Sequence, residues 1–261
     1  MRHARAVIRL LSVSVATLAI YVLYVAARLP LRLFHCRREA WRNKCTRIWL
    51  VTVAAILSLK ITVSGSAPKP PFFLVSNHLS YIDVVVMYSL LDCTFIVKND
   101  VRRWPVIGFM IKTMDVLFID RNRRVDVKRV NSLISKALNS YQGMILFPEG
   151  TTSQGDCVRP FRASLLKQPA VKGIAVHSAA IAYRTEGGDL TASESVCWHG
   201  DISFFAHIYR LSGNRRIHCM LAFGGAIKDN ERKSLSVKLH KEVQCIYSAL
   251  TETDKRAGTA Y

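Results

Sequence analysis

The chain has 261 residues, half of them hydrophobic, with 37 Lys and Arg against 18 Asp and Glu and a formal net charge of +19 at pH 7. That length holds one full-sized domain with a short appendage and excludes two, and the apolar content is ample for a buried core. The charge implies a polyanionic partner, either nucleic acid or an anionic membrane surface. Residues 1–70 carry twelve Lys or Arg against Glu39 alone, +11 of the +19, and the apolar runs lie there too, so membrane is favoured over nucleic acid.

The seven cysteines, Cys36, Cys45, Cys93, Cys157, Cys197, Cys219 and Cys245, are scattered and show no CxxC or Cys/His ligand spacing. They read as reduced packing residues, and no metal site is expected.

Residues 10–27, LLSVSVATLAIYVLYVAA, form an uncharged run of eighteen, close to the ~20 that a helix needs to cross a hydrocarbon core. Arg28, Pro30 and Arg32 follow where a signal peptide would need small residues. A second apolar run, 48–63, is preceded by Trp41 and begins beside Trp49, rings suited to the headgroup level. Cations at both ends of the first run leave two arrangements open, a single span or a basic two-helix hairpin dipping into one leaflet, the latter favoured. A buried helix pair in a soluble protein is the alternative.

Residues 65–71, GSAPKPP, read as a linker, after which short apolar runs alternate with helical stretches. Strands are predicted at 72–76, 94–97, 116–119, 144–147, 174–183 and 217–223, and helices at 83–91, 106–113, 125–140 and 164–168. Leu235, Leu239, Val243, Ile246 and Leu250 recur at helical spacing and predict a final amphipathic helix. The expected fold is α/β, a largely parallel central sheet flanked by helices and preceded by an N-terminal membrane-associated two-helix segment. The divisions are 1–64 for that segment, 65–71 for the linker, 72–250 for the main domain and 251–261 for a flexible tail.

Three motifs fall at predicted strand ends. In Asn77-His78-Leu79-Ser80-Tyr81-Ile82-Asp83, Ser80 is placed as N-cap and Asp83 at the third helical position. Helical side chains lean toward the N-terminus, so Asp83 is placed to hold one ring nitrogen of His78 and leave the other as a base, a triad without its serine. The plainer reading is a helix cap beside a satisfied turn histidine. The second motif, Leu146 to Ser153 (LFPEGTTS), reads alone as an ordinary turn. Between them Asp115 to Arg121 (DVLFIDR) presents Arg121, either a phosphate contact or a solvated charge.

In this order the motifs resemble the signature of the glycerolipid acyltransferases of the lysophosphatidate acyltransferase (PlsC-like) type: NHxxxxD, FIDR, FPEGTxS and a weaker apolar block near 174–183. The resemblance covers about 72–183, and Trp198-His199-Gly200-Asp201 is similar to the close of bacterial members. It implies His78 as base and Asp83 as its orienting partner. Lys98 and Arg121 would bind the acceptor phosphate, and Asn77, Glu149, Gly150 and Thr151 would line the substrate site. Backbone N–H groups near Gly150 are candidate oxyanion donors. The implied reaction moves an acyl group from acyl-CoA or acyl carrier protein to a lysolipid hydroxyl, with lysophosphatidate as the expected acceptor and phosphatidic acid as product. No cofactor is required, because the thioester is already activated. The implied location is a cell membrane, a bacterial inner membrane, with the catalytic domain on the cytoplasmic face.

Many members carry Arg after FPEGT where this chain has Thr152, which brings lyso-ornithine lipid forward as an alternative acceptor. The rival classes are a thioester hydrolase, in which the same base activates water, and a non-catalytic membrane lipid-binding protein, in which His78 is dispensable.

Overall fold

The computed structural model describes residues 1–27, 38–98, 117–119 and 141–258. The chain begins with two helices, α1 (Arg2–Ala26) and α2 (Arg38–Ile56), followed by strands β1 (Leu59–Ser64) and β2 (Phe73–Ser76) and helix α3 (Ile82–Leu90). Strands β3 (Cys93–Lys98), β4 (Leu117–Ile119) and β5 (Gly143–Leu146) come next, then a 3₁₀ turn (Ala163–Leu166) and α4 (Lys167–Val171). Strand β6 (Val176–Thr185) precedes the short helices α5 (Ala192–Ser195) and α6 (Phe204–Ser212). Strand β7 (Ile217–Ile227) and the long helix α7 (Arg232–Gly258) complete the described residues.

The strands form one sheet in the order β1-β7-β6-β2-β5-β3-β4. Neighbours run parallel except β6 with β7. The expected α/β fold with a largely parallel sheet is therefore present. Central β2 is buried along its whole length, which is why Phe73-Leu74-Val75 reads as an unbroken apolar run. Phe73 and Val75 face a core shared with Leu235, Leu239, Val243 and Tyr247 of α7, while Leu74 faces a second core shared with α2 and α3. Each fully buried leucine of the α7 stripe contributes about 1.5–3 kcal/mol relative to exposure.

Several expectations need correction. The run 48–63 is not one helix: α2 stops at Ile56 and Leu59-Lys60-Ile61-Thr62-Val63-Ser64 pairs parallel with β7. The sheet thus begins inside the segment assigned to 1–64, and 65–71 joins two strands of one sheet. Residues 251–258, placed in a flexible tail, continue α7. The helices predicted at 106–113 and 125–140 lie outside the described residues.

The N-terminal pair also differs in what its polar residues do. Trp49 donates from Nε1 to Thr17 Oγ1 at 2.9 Å, tying α2 to α1. Arg5 donates to Gly213 O at 3.0 Å, and Arg9 donates to the carbonyls of Ser212, Asn214 and Arg215 and to Ser58 Oγ. Those carbonyls lie at and just beyond the C-terminal end of α6, where peptide oxygens lack helical partners. Part of the N-terminal charge thus fastens α1 to the main domain. Ile8, Leu11, Val15, Leu18, Val22 and Val25 form an exposed apolar stripe on α1, and Ile48 and Val51 are exposed on α2. Among the described residues α1 is the one helix long and apolar enough to cross a membrane. Of the described cysteines, Cys45, Cys93, Cys197 and Cys219 are buried as expected, whereas Cys157 and Cys245 are exposed; all are free.

Candidate active site

The connection from β2 leads past β5 to β3, and that from β5 leads back past β2 to β6. The carboxyl ends of β2 and β5 thus flank a point where the chain turns both ways, the usual position of a ligand site in an open α/β sheet. The His78 motif follows β2 and the Glu149 motif follows β5. Parallel pairing of Phe73 with Met144 and Val75 with Leu146 brings the two loops together.

His78 Nδ1 lies 2.7 Å from Asp83 Oδ2, and the same oxygen accepts the main-chain N–H of Leu79 at 2.7 Å and of Ser80 at 3.0 Å. Asp83 is fully buried in the first turn of α3, where the helix dipole favours a negative charge. An ionised carboxylate only accepts, so Nδ1 carries the proton and Nε2 keeps its lone pair. The imidazole remains 20% exposed, and Nε2 has no protein partner among the described residues. The capping detail differs from expectation: Tyr81 is the N-cap without a side-chain bond, Asp83 is at the second helical position, and Ser80 Oγ is buried without a partner among the described residues.

Phe147 lies flat against the His78 ring, with centroids 4.0 Å apart and planes 7° from parallel, and Phe95 stacks on Phe147 at 5.7 Å. The ring is thus fixed by a contact face as well as by a hydrogen bond. Ser153 N–H donates to His78 O at 3.0 Å and Trp198 N–H to Leu79 O at 2.8 Å, holding the loop from two sides. Tyr81 OH meets His207 Nδ1 at 3.0 Å, and His207 Nε2 meets Cys197 O at 3.1 Å. Burial lowers His207 to about 4, so it is neutral, donates from Nε2 to the carbonyl and accepts from Tyr81.

Glu149 Oε1 accepts the His78 main-chain N–H at 3.1 Å, while Oε2 is buried and unpartnered among the described residues. Burial pushes this carboxyl up to about 8, so at neutral pH it is largely protonated. The unfolded carboxyl ionises near 4.5 while the folded one keeps its proton, so stability falls as pH rises from about 4.5 to about 8. Glu149→Gln is expected to flatten that slope. Thermal unfolding in detergent at about pH 5 and about pH 8 checks it, and equal slopes in both proteins would contradict it.

The turn Phe147-Pro148-Glu149-Gly150 closes with Gly150 N–H donating to Phe147 O at 3.2 Å, and Gly150 sits at φ +77°, a conformation that favours glycine. Its N–H is therefore engaged in the turn, which counts against Gly150 itself as an oxyanion donor. Thr151 is exposed at the loop surface. Asn77, expected in the substrate site, is buried, with Nδ2 donating to Ile181 O at 2.9 Å and Oδ1 accepting Ile181 N–H at 2.8 Å. It extends the β2–β6 pairing past Ser76 and has both ends of its amide occupied. The Lys98 backbone ends β3, but its side chain and the whole of Arg121 lie outside the described residues.

Tyr183 carried no site signal beyond its place at the end of an apolar block, yet its hydroxyl donates to Asp83 Oδ1 at 2.7 Å. Burial and the Asp83 charge raise this phenol well above its ordinary value, which keeps the proton on oxygen.

The acyltransferase family model matches residues 60–181. A lyso-ornithine lipid O-acyltransferase of Pseudomonas aeruginosa is 33% identical over 182 residues, covering 69% of each chain. The chain belongs to the acyltransferase family. A 1-acyl-sn-glycerol-3-phosphate acyltransferase of Neisseria meningitidis is 28% identical over 199 residues, 74% of this chain and 77% of that one. The crystal structure of the 1-acyl-sn-glycerophosphate acyltransferase PlsC from Thermotoga maritima superposes with a TM-score of 0.64 at 18% identity, covering 100% of this chain and 99% of that one, a likeness of fold. As an acyltransferase, this chain acts on an acyl donor and an acceptor.

Proposed function

We propose that this acyltransferase moves a fatty acyl group from an acyl thioester to the free hydroxyl of a lysolipid, with His78 as base and Asp83 orienting it. The observation that carries this reading is the 2.7 Å contact from Nδ1 to a buried carboxylate, which leaves Nε2 of a partly exposed side chain as the acceptor for a substrate proton. The hydroxyl oxygen attacks the thioester carbonyl as Nε2 takes its proton, forming the C–O bond. Collapse of the adduct breaks the C–S bond, and the imidazolium returns the proton to the departing thiolate. No covalent acyl-enzyme is required, since holding two activated partners together supplies most of what the step needs.

The favoured acceptor is lyso-ornithine lipid, whose head group carries a carboxylate and an amine and no phosphate. Thr152 stands where many members have a phosphate-binding Arg, and lyso-ornithine lipid O-acyltransferases of Pseudomonas aeruginosa and Brucella abortus are among the similar relatives. Lysophosphatidate is the second reading, supported by Arg121 in its FIDR setting and by the Neisseria relative. In either case the burial of the Glu149 carboxyl beside His78, with Oε2 unpartnered among the described residues, supports a role for it in acceptor binding, beside Gly150 and Thr151. The donor is acyl-CoA or acyl carrier protein, and an acidic carrier suits the positive surface. The exposed stripe on α1 supports anchoring at a membrane, with the catalytic domain on its cytoplasmic face.

Transfer of labelled acyl groups from both donors to equal concentrations of the two lysolipids, in membranes containing the protein, tests the acceptor. Preferential labelling of ornithine lipid is expected; preferential labelling of phosphatidic acid would reverse the order of the two readings.

A further inference from the structure

We propose that Tyr183 is a positioning residue for the His78–Asp83 pair: its buried hydroxyl occupies Asp83 Oδ1 and sets how strongly that carboxylate holds the imidazole. The inference rests on the proposed role of His78 as base. Asp83 has two oxygens with different duties. Oδ2 takes His78 Nδ1 and the N–H groups of Leu79 and Ser80, all from its own loop, whereas Oδ1 takes the Tyr183 hydroxyl from β6. Among the described residues no other donor reaches Oδ1, which without the tyrosine would be a fully buried, unsatisfied anionic oxygen.

The bond fixes two things. It stops rotation of the carboxylate, so Oδ2 stays directed at Nδ1, and it draws electron density toward Oδ1, so the carboxylate binds the imidazolium less tightly. The tyrosine is itself held in place, because β6 lies in the sheet interior with β2 on one side and β7 on the other, and Tyr183 pairs with Cys219. The Asn77 clamp on Ile181 fixes the same strand two residues earlier. Among the described residues the titratable groups facing the pair are Glu149 at the His78 main chain and Tyr183, Cys197 and Cys219 around Asp83. The two buried cysteines stay protonated, Cys197 being pushed up to about 12 by burial.

The test uses the full chain in membranes and compares three proteins. Tyr183→Phe removes one donor and leaves the ring. It is expected to lower kcat about tenfold, because a carboxylate free to rotate no longer keeps Oδ2 directed at Nδ1 and the base loses its alignment, with little change in either KM. The acid limb of its kcat/KM profile moves to higher pH, because a carboxylate relieved of a donor holds the protonated imidazole more tightly. Replacing Tyr183 with 3-fluorotyrosine keeps the fold and strengthens the donor, and the limb is expected to move the opposite way. His78→Ala separates the two levels of the argument: if it leaves transfer intact, the reading of the site fails. If it abolishes transfer while both Tyr183 replacements leave the limb in place, with or without a loss of rate, Tyr183 is a packing residue and the inference alone fails.

Discussion

Replacing His78 with alanine is expected to lower kcat for acyl transfer about 10²–10⁴-fold, the range that a positioned general base supplies. Among the described residues the ring makes two fixed contacts, one with Asp83 and one with the face of Phe147. Its removal therefore takes away the base and little of the surrounding packing. KM for the acyl thioester should change far less than kcat, since the lost interaction forms only as the hydroxyl gives up its proton. Initial rates in membranes with matched protein levels check this. A loss confined to KM would make His78 a binding residue.

Asp83→Asn is expected to cost as much, on the order of 10⁴-fold in kcat, by the tautomer argument that applies to any carboxylate-oriented imidazole. Four donors converge on a carboxylate that has only acceptors. An asparagine presents NH₂ at one end, so at least one of those donors meets another donor. If the carbonyl turns toward Tyr183, the amide faces Nδ1, which must then accept, and the ring proton moves to Nε2 where the substrate proton should go. Fold stability should fall by about 1–3 kcal/mol as well, because a buried donor is left unpaired. The double variant with His78→Ala should be little worse than either single change, since both remove one unit of function. Rates that fall multiplicatively would assign the two residues to separate tasks.

The distribution of what was legible follows sequence distance. His78 and Asp83 lie five residues apart across one loop and one helix turn, so helical geometry alone relates them, and the structure places them in contact. The family resemblance names Glu149, and the parallel pairing of β2 with β5, which neither motif order nor periodicity specifies, brings it beside His78. Tyr183 is 100 residues from Asp83 and reaches it because β6 runs on beyond the end of β2, a feature with no local signature. Asn77 shows the converse: the family resemblance implies a place in the substrate site, and its amide is engaged by strand β6.

The N-terminal region misled for a different reason. The continuous apolar run through 48–63 hid the period-two alternation of Leu59, Ile61 and Val63, so a strand at the sheet edge read as membrane helix. Arg5 and Arg9 read as lipid-facing cations because composition records charge and not the carbonyls at the end of α6 that receive it.

The central claim is that the site transfers an acyl group to a lysolipid hydroxyl and not to water. Release of free thiol from acyl-CoA, followed with and without lyso-ornithine lipid and lysophosphatidate in membranes containing wild type or His78→Ala, tests it most directly. Thiol release that depends on a lysolipid, matches the O-acylated product mole for mole and disappears with His78→Ala is the predicted result. Release at the same rate without either lysolipid would contradict it and make the protein a thioester hydrolase.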